Sequence, residues 1–534
     1  MQILRIPDRK TDAAARISTR RDRTVALFAI LCLEMAAVVA GCGAASVRAE
    51  RQVAASEPVV RVLLDTTSGD VRLTADSPLH VASPAFTESG GVPEAYGVPE
   101  AHGVPEPDAD PILAAATAAG AFSTEGEGEA RAPGDYPDGV LVRAGQSGDR
   151  SLEAVDLISG AAADAGDEVI VTAPEAGIVQ VAGRPYRGAI VVTRTRSGGL
   201  QVVNVLDMES YLLGVVAGEI GRLPETRVEA VKAQAIAART YALSSLGQYG
   251  ADAGYDLYAS TLDQVYEGII GEDPTGDVAV LATTGLVLEY RDKLTRAYYH
   301  ATCGGRTAPV NEVWTDRPRA DYLKGVADRS MKTSGSYPLC SGSPNFEWTE
   351  DWDGRTLERI LERSIPRELE QPLGSQGLGH VKEIKISHRG PSGRVHDLEI
   401  ETTTHTFHVP QDKVRSVLRR PVSGEPALRS TLIRVEKIEK TTGRVSRLVI
   451  SGRGNGHGVG MCQSGAIGMS EAGAAAREIL SHYYPGTHMR HWSEIRNLPT
   501  GTASGAQRTA GLGALVAPGR PGYEANPGSG ISRR

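Results

Sequence analysis

A chain of 534 residues is longer than one ordinary domain, so two or more compact units joined by linkers are expected. Aromatic residues make up only 5%, against 61 glycines and 30 prolines, which indicates that part of the length is not packed core. The net charge of −8 and pI near 5.9 give no reason to expect a polyanion partner, although they leave room for a local basic groove, and no nucleic-acid partner is expected.

The first fifty residues read as targeting. Arg16, Arg20, Arg21 and Arg23 precede an apolar run from Val25 to Ala40, the form of a signal-peptide core and too short for a comfortable membrane span. Val39-Ala40-Gly41-Cys42 resembles the lipobox of bacterial lipoproteins, in which the cysteine becomes the lipidated first residue; Glu34 within the run departs from that pattern. The expectation is a lipoprotein signal over residues 1–42, a tether over 43–56, and an exported protein held by lipid on a membrane, facing the periplasm or cell envelope. Cys32 then leaves with the signal, and Cys303, Cys340 and Cys462 remain in the fold. In an oxidising compartment Cys303 and Cys340 are the expected disulfide, closing a loop for roughly 3 kcal/mol. A metal site is the rival reading.

From Val59, short apolar runs broken by Thr-Ser-Gly-Asp and Ala-Asp-Ser-Pro predict two or three small strands. Residues 86–136 interrupt them: Gly91-Val92-Pro93-Glu94-Ala95-Tyr96 recurs from Gly97 and begins again at Gly103, a low-complexity insertion with no chemistry assigned. Strand signals return through DEVIVTAP, GIVQVAG, RGAIVVTRT and LQVVNVL, so residues 57–85 and 137–206 form one β-rich N-terminal part.

After Asp207 the apolar period changes from two to about 3.6. Tyr211 to Ile220 predicts a short helix capped by Ser210, and Gly221 with Pro224 ends it. Thr226 and Glu229 form a capping box for a second helix, with Val228, Val231, Ala235, Ala238 and Ala242 as its buried stripe. Glu219 thus sits where a helix gives way to a loop. Strands are expected up to His300, a short helix over 355–363, strands through VKEIKISHRG, RVHDLEIET, TFHV and SRLVISG, and a helix over 471–483. Residues 207–495 are read as the catalytic region and 496–534 as a loose tail. The fold class is α+β, a β-rich N-terminal part followed by a mixed α/β region.

YLLGVVAGEIG, EAVKAQAIAARTYAL, DQVYEG, HATCGGRT, GRGNGHGVGMCQSGA and ILSHYYPG stand in this order. They resemble the successive motifs of the stage II sporulation protein D family, also called SpoIID/LytB, over roughly residues 180–487. The resemblance implies a lytic transglycosylase acting on peptidoglycan glycan strands, preferring strands stripped of stem peptides, with Glu219 as the catalytic acid. The LytB half of the name implies the alternative, a non-catalytic wall-binding protein that enhances a separate amidase. Without the resemblance, Glu219 reads as a solvated glutamate at a helix end.

A single acid suits that chemistry. Most glycosidases use two carboxylates, whereas a lytic transglycosylase lets the muramic acid's own 6-hydroxyl attack the anomeric carbon, so one glutamate acts as acid and then as base. Burial against Val215, Val216 and Ile220 is expected to keep Glu219 protonated near neutral pH. Lys232 and Arg239, seven apart on one helix face, are candidates to meet lactyl carboxylates. Gln234 and Gln264 are candidates to bond sugar hydroxyls. His300, Thr302, His457 and Gln463, from the later motifs, complete the expected substrate set. Each has a plainer reading as a solvated face, a core residue or a loop stitch.

Some relatives hold zinc through Cys and His in the loop that here reads DLYASTLDQVYEG; this sequence has neither there, so no metal or other cofactor is expected. His300, Cys303 and Cys340 have suitable ligand types, but His-x-x-Cys alone is a weak signal. The glycines from Gly454 to Gly460 lack the Lys-Ser/Thr of a phosphate loop. A protease built on Cys303 or Cys462 with His457 has no supporting local pattern.

Overall fold

The computed structural model describes residues 57–83, 134–145, 151–174, 177–329, 337–496 and 498. The expected signal, the tether, Cys42, most of the 86–136 insertion and nearly all of the 496–534 tail lie outside the described residues. The chain divides into two units, Met1–Glu57 and Pro58–Arg534, and every element below belongs to the second. Among the described residues no helix is long and apolar enough to cross a membrane.

Twelve strands precede the first described helix. They are β1 (Val59–Thr67), β2 (Val71–Thr74), β3 (Leu79–Ala82), β4 (Gly134–Tyr136), β5 (Val140–Ala144), β6 (Leu152–Asp156), β7 (Ala162–Asp164), β8 (Glu168–Thr172), β9 (Ile178–Val181), β10 (Arg184–Arg187), β11 (Ala189–Arg194) and β12 (Leu200–Asp207). One sheet runs β10-β9-β2-β5-β6-β7. The other runs β1-β12-β11-β8-β3-β4, and β13 (Leu257–Tyr258), from the region expected to be catalytic, adds itself in parallel beside β1. β4 lies inside the span read as low-complexity insertion, because Tyr136 and Gly134 pair with Leu79 and Val81.

Alternating burial in β2, β3 and β5 follows from one solvated face, while β12 is buried almost throughout, as a strand covered on both sides must be. Residues of both sheets share one hydrophobic core with the helices that follow, so residue 207 is not a boundary between separate cores. The seam is locked by Arg61, whose Nε and Nη2 donate to Asp256 at 3.0 and 2.8 Å in a buried pair, with the N–H groups of Arg61 and Gly247 adding two more donors at 3.1 and 2.9 Å.

Helix α1 (Met208–Ile220) starts three residues earlier than a Ser210 cap would set it. Asp207 is the cap, its carboxylate accepting from Ser210 N at 2.8 Å, since the chain leaves β12 at that residue. Helix α2 (Val228–Ser245) is entered through a 3-10 turn, Glu225–Arg227, and has no side-chain cap. The expected Thr226–Glu229 box does not form, because Glu229 is taken by Lys232 and by the N–H of Ala476. Helix α3 (Pro274–Ala282), capped by Asp273, was not anticipated. Then come β14 (Leu286–Tyr290), β15 (Lys293–Leu294), β16 (Tyr299–His300) and the short α4 (Val310–Val313).

A second hydrophobic core follows, built only from residues between Trp348 and Ile450. It comprises β17 (Glu347–Asp353), α5 (Gly354–Leu369), β18 (Val381–Arg389), β19 (Val395–Thr402), β20 (Thr406–Pro410), α6 (Lys413–Val417), β21 (Ile433–Thr441) and β22 (Arg444–Arg453). The sheets run β17-β22-β21 and β18-β19-β20. Helix α5 extends well beyond the expected 355–363, its amphipathic face continuing to Ile365. β17 and β22 pair antiparallel with Glu347 opposite Arg453, so the chain enters and leaves this part side by side.

The chain returns to the first core through β23 (Met461–Cys462), which pairs in parallel with β16. Next come α7 (Gln463–Glu471), α8 (Ala476–Tyr483) and β24 (His488–His491), which pairs with β14. The helix expected over 471–483 begins only at Ala476, as α8, and the unanticipated α7 ends at Glu471 just before Gly473, which has φ +79°.

Cys303 and Cys340 are free, a correction to the expected disulfide. Their Sγ atoms are 3.6 Å apart, far from the bonded distance of about 2.05 Å. Cys462 is a third buried neighbour, while His300 is turned to the carbonyl of Val459.

Candidate active site around Glu219

Glu219 occupies the last turn of α1, which Gly221 terminates with φ +87° while its N–H returns to Ala217 O. No basic residue lies in that turn, so the carboxylate sits unscreened at the negative end of the helix dipole. Its Oε1 accepts from Val265 N at 2.6 Å, and Tyr299 and Gln463 supply further side-chain hydrogen bonds. Burial pushes the Glu219 carboxyl up from 4.5 to about 7, against these three stabilising contacts.

The loop that brings Val265 is admitted by two glycines one turn apart on α1. A Cβ on Gly214 would lie 2.7 Å from the Tyr266 ring and 2.8 Å from Gly268 O, and one on Gly218 would lie 3.2 Å from Val265 Cγ1. Tyr266 cannot retreat, since it is buried against Tyr211 with its hydroxyl donating to Asn204 Oδ1 at 2.7 Å. Gly214→Ala is therefore expected to destabilise the protein by about 1–3 kcal/mol despite alanine's better helix propensity. Thermal melts of the two proteins measure it, and an unchanged or raised midpoint would contradict this packing.

A polar chain supports the acid. Tyr211 Oη donates to Gln264 Oε1 at 3.0 Å, and Gln264 Nε2 donates to Tyr299 Oη at 2.8 Å and to Ala238 O at 3.3 Å. Because Tyr299 accepts from Gln264, its own proton is left for Glu219. Burial pushes the Tyr211 and Tyr299 hydroxyls well up, so both remain neutral donors. On the other side Gln463, at the start of α7, donates through Nε2 to Gln234 Oε1 at 3.3 Å. Gln234 is fully buried, and its Nε2 has no hydrogen-bond partner.

Asp263 is close in sequence to Val265 but is fully engaged. Oδ1 accepts from Tyr241 Oη at 3.0 Å and Gln248 Nε2 at 2.9 Å, and Oδ2 from Tyr249 Oη at 2.8 Å and Tyr258 N at 2.9 Å. Four donors exhaust a carboxylate's lone pairs, which makes Asp263 the knot of its loop rather than a base. Tyr249, Tyr255 and Tyr258 pack edge-on or tilted against one another, their ring centroids 5.1–5.3 Å apart.

Of the residues expected to meet substrate, the structure gathers Gln234, Gln264 and Gln463 about Glu219 and disposes the others differently. Lys232 pairs with Glu229 at 2.8 Å, and Glu229 in turn holds the N-terminus of α8. Arg239 is fully buried: Nε donates to Glu209 Oε1 at 2.8 Å, Nη2 to Glu209 Oε2 at 2.5 Å and Nη1 to Leu286 O at 3.1 Å. A guanidinium so enclosed is a packing element, and the expected lactyl contact gives way to it. Thr302 is buried, its hydroxyl 2.8 Å from Ser343 Oγ and 2.9 Å from Ser464 Oγ, stitching three segments.

His300 and His457 lie together, ring centroids 5.5 Å apart, beside Trp314 and Tyr298. Burial lowers both, His457 to about 4, so neither carries charge at neutral pH. Side chains alternate along a strand, so it is Tyr299 that meets the acid while its neighbour His300 turns to the opposite side. The residues sequence reasoning passed over are thus Tyr211, Tyr299 and the N–H of Val265. The only available signal was that Tyr299 adjoins His300 at a strand end.

Comparison with known proteins places this geometry in a family. The family model for stage II sporulation protein, SpoIID, matches residues 196–290, which carry Glu219 and its loop. A domain of unknown function matches residues 330–460, the span of the second core. An uncharacterized protein of Brachyspira hyodysenteriae is 30% identical over 294 residues, 55% of this chain and 69% of the relative. The stage II sporulation protein D of Bacillus amyloliquefaciens is 28% identical over 300 residues, covering 53% and 74%. The amidase enhancer of Bacillus subtilis is 28% identical over 303 residues, covering 52% of this chain but only 40% of the relative. The chain belongs to the SpoIID family.

Proposed function

We propose that the protein is a peptidoglycan lytic transglycosylase in which Glu219 is general acid and then general base. The observation that carries this reading is a carboxyl raised to about 7 and held by Val265, Tyr299 and Gln463, while Asp263 in the same loop has all its lone pairs engaged. The protonated Glu219 delivers its proton to the glycosidic oxygen as the bond to the anomeric carbon breaks. The muramic 6-hydroxyl attacks that carbon, and the Glu219 carboxylate takes the hydroxyl's proton, regenerating the acid and leaving a 1,6-anhydro end. The Tyr299 and Gln463 donors steady the carboxylate during the interval in which it is charged. Strands already stripped of stem peptides are the expected substrate. The same reading takes the protein to be exported and anchored to a membrane through Cys42.

A second reading comes from the Bacillus subtilis relative named amidase enhancer, under which this chain would bind the wall and assist an amidase without cleaving glycan. Incubating the purified protein with intact and amidase-stripped glycan strands separates the two. Wild type is expected to release anhydro-muramic ends detectable by mass spectrometry, and Glu219→Gln is not. Binding by both proteins with no products from either favours the second reading.

A further inference from the structure

Away from the acid, four stretches of chain deliver Cys303, Asp328, Cys340 and Cys462 to one buried point, where one donor atom from each lies within 4.8 Å of all the others. We propose that these residues form a structural zinc site of three thiolates and one carboxylate. This inference does not rest on the glycan-cleaving reading.

Spacing is the first argument. A Zn–S bond of about 2.3 Å sets tetrahedral ligands about 3.8 Å apart, and the Sγ atoms of Cys303 and Cys340 stand at 3.6 Å. That separation is far too long for a disulfide, and a disulfide would in any case leave Cys462 unpaired beside it.

Backbone donors are aimed at the sulfurs of Cys303 and Cys462. Cys303 N donates to Cys462 Sγ at 3.2 Å, Gly305 N to Cys303 Sγ at 3.3 Å and Gly465 N to Cys462 Sγ at 3.3 Å. Backbone N–H groups aimed at sulfur favour the charged ligand form. Cys462 also caps α7, so the positive end of that helix faces the cluster.

Asp328 is fixed by other groups, as metal carboxylates usually are: Tyr483 Oη donates to Oδ1 at 2.6 Å and Cys340 N to Oδ2 at 2.9 Å. Position 465 must be glycine for this approach, since a Cβ there would lie 2.0 Å from Tyr483 Oη and 2.3 Å from Asp328 Oδ1. Three sulfurs and one oxygen in a closed, buried set suit zinc better than the harder magnesium or calcium. The site would tie the segment after β16 to the start of α7, and so hold Gln463, the residue after Cys462, beside Glu219.

The test is metal analysis of the full chain purified under reducing conditions without chelator. One zinc per chain is expected, and after its removal one equivalent of cobalt(II) should bind with the intense visible bands of tetrahedral thiolate coordination. Cys462→Ser and Asp328→Asn should each lose the zinc; because the serine variant could fail to fold, the wild-type cobalt spectrum decides independently. A metal-free protein whose non-reducing peptide map shows a Cys303–Cys340 disulfide overturns the proposal. So does a reduced protein with three free thiols that takes up no cobalt, or zinc retained at full stoichiometry by both variants.

Discussion

Glu219→Gln is expected to lower the rate of glycan cleavage by about 10²–10⁴-fold, the range lost when a general acid is removed. The same substitution is expected to stabilise the fold at alkaline pH, and the sign follows from linkage. The folded carboxyl is pushed up to about 7 against the ordinary 4.5, so below 4.5 both states are protonated and the shift brings no loss of stability. As pH rises from 4.5 the unfolded chain ionises freely while the folded chain still holds its proton, and stability falls until the folded group has ionised above 7. At 1.36 kcal/mol per pH unit the full cost is about 3 kcal/mol, an upper figure for a side chain that is not wholly sealed from water. Glutamine keeps an oxygen for Val265 N and carries no charge, so the variant escapes this loss. Urea melts of both proteins at pH 4.5, 6 and 8 check it: the gap should open with pH, and a constant gap would mean that Glu219 is not raised by burial. Cleavage by the wild type should fall as pH climbs through 7.

The second large effect concerns Arg239. Arg239→Ala leaves Glu209 without its bidentate partner and is expected to cost about 3–5 kcal/mol, because a partly buried charge has lost its wholly buried counterpart. Gly285 N, which also donates to Glu209 Oε1 at 3.1 Å, cannot replace a guanidinium. If Arg239 instead met substrate, the variant would keep its stability and lose affinity for glycan strands. Chemical denaturation together with a strand-binding assay distinguishes the cases, and coupling between Arg239→Met and Glu209→Leu in a double-mutant cycle measures the pair itself.

What could be read from the sequence was whatever depends on local pattern. The strands from Val59 to Asp207 and the helix bearing Glu219 follow from alternation, period and a terminating glycine. A raised acid was the expectation from the apolar residues Val215, Val216 and Ile220 around it in the sequence, and burial does push Glu219 up. Long-range pairing was not readable. Arg239 and Glu209 are 30 residues apart, and nothing in the helix pattern says which cation finds that carboxylate. Tyr299 and His300 are adjacent, and only the parallel register of β16 on β23 decides which of them faces Glu219. The cap fell on Asp207 rather than Ser210 because β12 delivers the chain there, a constraint imposed by the sheet. The cysteine cluster escaped for the same reason: Asp328 and Cys462 join Cys303 and Cys340 only through tertiary contact.

The adjacent entry and exit of the part built on β17 and β22 carry a consequence for how such a chain is assembled. Glu347 and Arg453 face each other on neighbouring strands, so a gene could gain or lose everything between them as a cassette, closing the gap with a short hairpin turn and leaving the host's register intact. Several contacts make the guest more than a passenger, among them Gln411 Nε2 to Asn311 O at 3.3 Å and Arg429 Nη1 to Asn345 Oδ1 at 2.6 Å. Arg394 is wholly buried and reaches the carbonyl of Cys303 at 2.8 Å, and Ser392 N meets Glu312 at 3.1 Å. Excision would therefore cost the host those plugs rather than its frame, and transplantation into a related scaffold would need Glu312, the Cys303 turn, Asn311 and Asn345 among its landing points.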